Sequence, residues 1–277
     1  MSGRTATEPV PGRLPELEAN IADLQRIMSR GWPGLEQERL GEWVVRFGGG
    51  YTGRANSALA VGDPGRPVAL AVEDVMARYA GRGQDAIVQV CYPADGVAAL
   101  SDSAELDALL AARDFHVVTP SFAMTAAVSH MASSGRSAPE SLDIKFSDDP
   151  DDLLALYPDD LPIRRAVMMA GPARYLAIRD DADRVVARAR LALVDSWCGV
   201  SDLHIVEHLR GRGIGQVAMA ALVGEAKRHG CDTAYLQVMT SNTRAIAFYE
   251  RLGWRIHHAY HYRRKAGSAG DLGAPTC

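Results

Sequence analysis

Cysteine is scarce: Cys91, Cys198, Cys231 and Cys277 are four among 277 residues, and no two form a Cys-x-x-Cys pair. That spacing offers neither a disulfide framework nor a structural zinc site, and no metal is expected. No apolar run approaches the ~18 residues of a spanning helix, so no membrane partner is expected. The first ten residues, MSGRTATEPV, carry one arginine and no apolar stretch, unlike a secretory leader. A basic excess is missing as well, since 30 Lys and Arg face 34 Asp and Glu for a net charge of -4. With only 6% aromatics there is no basic aromatic stripe, and nucleic acid is not an expected partner. Together these absences place the chain in a reducing compartment, the cytoplasm.

What is present is an ordinary globular composition, 47% apolar and 23% charged, in a chain long enough for one large domain or two of about 140 residues. Leu14, Leu17, Ile21, Leu24 and Met28 recur at steps of three and four, which predicts a helix over 14–29 ended by Gly31, Trp32 and Pro33. GEWVVRF, GGGYTG and RANSALAV read as strand, turn and strand. A helix over 68–79, a strand at 86–90, a helix over 104–113 and a strand from Phe115 follow. HMASSGRSAPE, between His130 and Glu140, has linker composition. Beyond it come a short helix opened by Asp149 or Pro150, strands over 174–180 and 184–197 joined by a DDAD turn, and a third strand over 200–206. A helix from Ile214, a strand at 233–238, a helix over 242–251 and a final strand from Trp254 complete the chain. Both halves run helix, strand ending in Gln-Val, helix, strand opening on an aromatic. That order fits a tandem of related domains, and equally the common grammar of any two α/β halves.

The strongest local signal is HLRGRGIGQVAMA. Glycines 211, 213 and 215 immediately precede a helix, so several N–H groups can face one anion at the positive helix end. Taken alone, RGRGIG is either a pyrophosphate loop or a tight structural turn. Arg210, Gly213 and Gly215 match the Gln/Arg-x-x-Gly-x-Gly/Ala form, and Asn242, Ala245, Tyr249, Glu250, Gly253 and Trp254 match Asn-x-x-Ala-x-x-x-Tyr-Glu-x-x-Gly-Phe with Trp in the last place. On these two motifs residues 165–264 resemble the GNAT superfamily of acetyl-CoA-dependent N-acetyltransferases. The resemblance implies an α/β fold whose mixed, mostly antiparallel sheet is flanked by helices and splays two strands into a cofactor cleft. It implies acetyl-CoA as cosubstrate, its arm beside His204, Ile205 and Val206. The diphosphate would rest on Arg210, Gly211, Arg212, Gly213, Ile214 and Gly215, with Asn242 a further contact or simply a helix N-cap. Tyr249 would be the general acid to the departing thiolate, or else a buried aromatic.

An amine must shed a proton before attack, and Asp202, His204 and Glu207 stand on or just past the strand bordering the cleft. Any of the three can be base or amine anchor, or a solvated polar residue. A regular strand would put Asp202, His204 and Val206 on one face, whereas the resemblance implies a strand that is often bulged. The first half lacks both motifs, and its GDPGRP turn loses N–H donors to proline. It resembles the degenerate member of a tandem, two-domain actinobacterial GNAT group. The expected division is 1–130 as a degenerate GNAT-like domain, 131–140 as linker and 141–277 as the acetyltransferase domain. Arg54, Asn56 and Ser57 either line a pocket between the halves or satisfy local backbone groups. The acidic runs FSDDPDD and YPDD either draw a cationic amine or serve a helix start. The expected acceptor is a small-molecule or peptide amine attacking directly; the alternative is a non-catalytic acyl-CoA-binding sensor or assembly protein. Neither charge nor periodicity points to an oligomeric interface.

Overall fold

The computed structural model describes residues 19–94, 102–131, 142–157 and 162–265. Leu14, Leu17, the YPDD run beyond Tyr157 and nearly all of the expected linker lie outside them. Helix α1 (Ile21–Gly31) opens on Asn20, whose side chain accepts from the Asp23 N–H at 2.9 Å. Strands β1 (Glu36–Leu40) and β2 (Trp43–Phe47) form a hairpin, and β3 (Ala58–Leu59) pairs with β2. The expected strand over 54–61 shrinks to β3 because Asn56 holds the loop before it. Its Oδ1 accepts from the Gly48 and Gly50 N–H groups, and its Nδ2 donates to the Tyr51 and Thr52 carbonyls. Helix α2 (Val68–Ala80), β4 (Ile87–Pro93), α3 (Asp102–Ala111) and β5 (Phe115–Ala127) follow.

The second half contains β6 (Asp143–Ser147), α4 (Asp151–Leu154), α5 (Pro162–Met169), β7 (Ala173–Arg179), β8 (Val185–Val194) and β9 (Trp197–Ile205). A single 3-10 turn (Glu207–Leu209), α6 (Ile214–Arg228), β10 (Thr233–Met239), α7 (Thr243–Arg251) and β11 (Arg255–Lys265) complete it. The strand expected over 184–197 breaks at Asp195, whose φ of +52° turns the chain, so Trp197 already belongs to β9. Edge strands β1 and β6 and helix α5 carry no sequence expectation.

The eleven strands among the described residues form one sheet in the order β1-β2-β3-β4-β11-β5-β10-β9-β8-β7-β6. Two pairs, β3 with β4 and β9 with β10, are parallel; the rest are antiparallel. Each parallel pair is joined by a crossover helix, α2 in one half and α6 in the other, so both halves repeat three strands, helix, strand, helix, strand. Their last strands are exchanged. β11 lies between β4 and β5 of the first half, and β5 in turn pairs with β10 of the second.

One core, with Leu176, Leu191, Leu222, Leu236 and Trp254, packs under α6; another, with Trp43, Val45, Tyr79, Leu110 and Phe115, packs under α2 and α3. Helix α1 lies across the junction, placing Leu24 and Met28 on Ala123 and Tyr235. A buried polar chain stitches it there. Arg46 donates to Gln89, Gln89 donates to Gln25, and the Gln25 amide lies 2.7 Å from Nε2 of His258. Burial pushes the His258 imidazole down to about 3, which keeps the ring neutral and able to accept from Gln25.

Both sheet partners of β11 come from the first half. Residues 142–277 expressed alone are therefore expected to lack a cooperative thermal transition in circular dichroism, whereas the full chain shows one. A fragment unfolding sharply near the full-length Tm would contradict the exchanged-strand topology.

Candidate active site

The RGRGIG segment turns through glycines for a physical reason. Gly211 at φ +80° and Gly213 at φ +90° occupy the left-handed region, which costs an L-residue about 1–2 kcal/mol. Gly213 is the N-cap of α6, with no side-chain cap and no acidic residue in the first turn. The helix's positive end is therefore left for an anion from outside. Arg210 ties the loop back, its Nε donating to the Ile205 carbonyl at 3.0 Å.

The cleft beside this loop opens because β9 and β10 part. They pair from Trp197 with Thr233 to Val200 with Leu236 and no further, although β9 continues to Ile205 and β10 to Met239. The parting coincides with a bulge. Arg188 faces His204 and Arg190 faces Ser201, so Asp202 and Leu203 together oppose Ala189. Asp202 takes φ +54° and buries its carboxylate against Arg188, with Nη2 3.2 Å from Oδ1 and Nε 3.2 Å from Oδ2. The alternation expected of a regular strand is accordingly lost, and consecutive residues Leu203, His204 and Ile205 all line the cleft.

That cleft, about 490 Å³, runs from Gly211, Gly213, Ile214 and Gly215 to Asn242, Phe248 and Tyr249 of the α7 region, with Arg210, Arg244 and Arg251 at its rim. A second, smaller cavity of about 90 Å³ continues between the halves. Ser201 and Asp202 of β9 and Gln237 of β10 line it together with Arg54, Ser121, Tyr260 and Tyr262 from the first half and β11. Leu203, Asn242, Ala245 and Tyr249 line both. Tyr249 thus stands where the two spaces meet, its ring edge-on to Phe248 and Trp254 at centroid distances of 5.3 and 5.9 Å. Asn242 caps α7, accepting from the Ala245 N–H at 3.1 Å, and faces both spaces.

Other sequence candidates separate cleanly. Glu207 is exposed on the 3-10 turn, and Glu207, Val206 and Arg212 belong to the lining of neither space. Asn56 and Ser57 serve local hydrogen bonds, while Arg54 lines the smaller cavity. The acidic run is matched by cations: Asp148 pairs with Arg174, Asp149 and Asp151 with Arg165, and Asp152 with Arg179. It is a set of structural ion pairs at the start of the second half. Burial, aided by the cations of Arg188 and Arg210, lowers the His204 pKa, and burial raises that of Asp202 against the pull of Arg188. Gln237, Phe248, Arg244, Arg251, Tyr260 and Tyr262 were not site candidates. Gln237 stands in the Gln-Val pair common to both halves, which lies within β4 and β10 and does not end either strand; the tyrosines reach the cavity only through the strand exchange.

A family described as "Probable histone acetyltransferase Rv0428c C-terminal" matches residues 18–263. The chain belongs to this family. It is 25% identical to the "Uncharacterized N-acetyltransferase YobR" of Bacillus subtilis over 256 residues, covering 89% of this chain and 99% of that one. A GCN5-related N-acetyltransferase from Kribbella flavida has the same fold, with a TM-score of 0.63 at 17% identity over 89% of this chain and 96% of the other. So does a tandem GNAT protein from the clavulanic acid biosynthesis pathway, at 0.59 and 13% over 78% and 76%. The protein is a GNAT-type, acetyl-CoA-dependent N-acetyltransferase of α/β fold, and acetyl-CoA is the cosubstrate that family membership implies. No helix among the described residues is long and apolar enough to cross a membrane.

The uncapped helix end fits the diphosphate of that cosubstrate, and the arginine rim fits its further negative charge. Replacing Gly213 with Asp sets an anion at that end. Calorimetric titration of the Gly213→Asp protein with acetyl-CoA is expected to give at least tenfold weaker binding with the circular dichroism spectrum retained. Unchanged affinity would place the diphosphate elsewhere.

Proposed function

We propose that the enzyme acetylates a primary amine by direct attack, with Tyr249 as general acid and Asp202 as the carboxylate that receives the amine. The observation that carries this reading is the position of Tyr249 at the meeting point of a coenzyme-sized cleft and a small polar cavity. Acetyl-CoA, when bound, supplies an acetyl thioester whose C–S bond gives way to a C–N bond and leaves a thiolate in need of a proton. The Tyr249 hydroxyl holds that proton, and Asn242 orients the cosubstrate from the same helix start. Beyond Val200, β9 keeps its pairing with β8 but has no β10 partner, so backbone N–H groups on its β10 side are available to the developing negative charge on the carbonyl oxygen.

Asp202 suits the amine's side of the reaction. Its carboxylate meets Arg188 and the Tyr157 hydroxyl, and its buried Oδ2 makes no further hydrogen bond, so a lone pair is left for an ammonium N–H. A raised pKa makes it the stronger base for that proton. His204 lines only the coenzyme cleft of the two, which suits it better to contact with the cosubstrate, as do Ile205, Gly211 and Ile214. The chain divides as 1–130, 131–140 and 141–277 in this reading, with the first part shaping the acceptor space through Arg54 and Ser121.

Two results test the assignment. Tyr249→Phe is expected to lower kcat by about 10²-fold or more while leaving the acetyl-CoA Kd within about threefold; an unaltered kcat would remove Tyr249 from the chemistry. Asp202 protonates above the ordinary carboxylate pKa of about 4, so kcat/KM should fall as pH drops through an acidic limb lying above that value. In Asp202→Asn the limb should flatten at a lower plateau. A limb that persists unmoved would assign it to another group.

A further inference from the structure

The charge around the acceptor cavity has the wrong sign for a site that recognises only a cation. Its charged lining residues are Arg54 and Asp202, and Asp202 is already matched by the buried guanidinium of Arg188. Arg54 is held by neutral partners: its guanidinium stacks 4.2 Å from the Trp32 ring centroid, and its Nη1 donates to Gln237 Oε1 at a long 3.3 Å. Just behind it, in a recess shared with Arg54, Ser201 and Gln237, sits Arg190 at 0% exposure. Arg190 donates to the carbonyls of Met168 and Gly31, and its Nη2 is buried without a hydrogen-bond partner. Among the described residues, neither Arg54 nor Arg190 is paired with a carboxylate.

Cations in such a place are costly unless something offsets them. A polar atom beside them is short of a partner as well: the Ser201 hydroxyl is buried and makes no hydrogen bond. An anion placed between Arg54 and Ser201 would meet a guanidinium fork and a hydroxyl donor, the geometry in which arginine binds carboxylate. The cavity, at about 90 Å³, has room for a small head group.

We propose that the acceptor amine itself carries a carboxylate, so that the cavity takes a small zwitterion of the amino-acid class with its carboxylate on Arg54 and its ammonium on Asp202. This rests on the acetyltransferase reading above and names its substrate class. A peptide lysine, by contrast, would bring a cation to a cavity whose free charge is already positive.

The test compares free amino acids with their own amides, which keep the amine and remove the anion. Thiol release from acetyl-CoA is followed with the full-length protein. At least one free amino acid is expected to exceed its amide in kcat/KM by tenfold or more. In Arg54→Gln that preference should fall below about threefold through KM, with the acetyl-CoA Kd unchanged and Arg54→Lys restoring part of it. If Arg54→Gln does not fold, the wild-type comparison of acid with amide decides alone. Amides or lysine peptides turned over as well as the free acids would overturn the proposal and leave the acetyltransferase standing. So would acetyl-CoA binding without thiol release for any free amino acid. Failure of acetyl-CoA to bind at all would instead refute the underlying reading.

Discussion

The buried ion pair between Arg188 and Asp202 fixes the feature on which the site depends. A parallel pair such as β9 and β10 would ordinarily stay hydrogen-bonded to its ends, since each unpaired buried amide carries a cost. Here the extra residue in β9 is held in a left-handed conformation by a carboxylate anchored on the neighbouring strand, and the strand is bent away from β10. A buried pair of this kind contributes little net stability once desolvation is counted. We ascribe its value to register: it sets where pairing stops, and so where a cleft begins. Asp202 also lines the smaller cavity, so the group that shapes the cleft stands beside the space proposed for the acceptor.

The exchange of last strands has a second consequence. Because β11 is threaded between β4 and β5, residues from both halves meet at the mouth of the cleft without any long excursion of loop. Tyr260 and Tyr262 come from the chain's last strand and Ser121 from the first half's last strand, and they form one wall. The first half carries no counterpart of the RGRGIG segment, yet it supplies Arg54 and Ser121 to the smaller cavity. In the proposed reading the second half holds the cosubstrate and the first shapes what it reacts with, and a single sheet joins the two.

Much of this was legible in the residues. The glycines at 211, 213 and 215 announced a helix start without a cap, and the spacing of Asn242 and Tyr249 put both on the cleft side of α7. Helix α1 followed from its apolar periodicity, Ile21, Leu24 and Met28 recurring at steps of three and four. What was not legible has specific causes. β1 and β6 are polar edge strands with little buried area to impose a pattern. The β8–β9 turn is so tight, with apolar residues on both flanks, that two strands read as one. Asn56 overrode a strand pattern with four hydrogen bonds of its own. The bulge at Asp202 depends on a partner fourteen residues away, and the exchange of β5 and β11 on contacts more than a hundred residues apart; local sequence carries no sign of either. Glu207 shared the right neighbourhood in sequence but fell on an exposed turn.

The central claim is that the cosubstrate lies along the opened edge of β9 with its reactive end at the junction marked by Tyr249. A crystal structure of the complex with coenzyme A tests it most directly. The account predicts the diphosphate on the N–H groups of the 211–215 loop, the pantetheine arm between β9 and β10, and the thiol within hydrogen-bonding reach of the Tyr249 hydroxyl. Coenzyme bound outside that opening, or a thiol directed away from the small cavity, would contradict it.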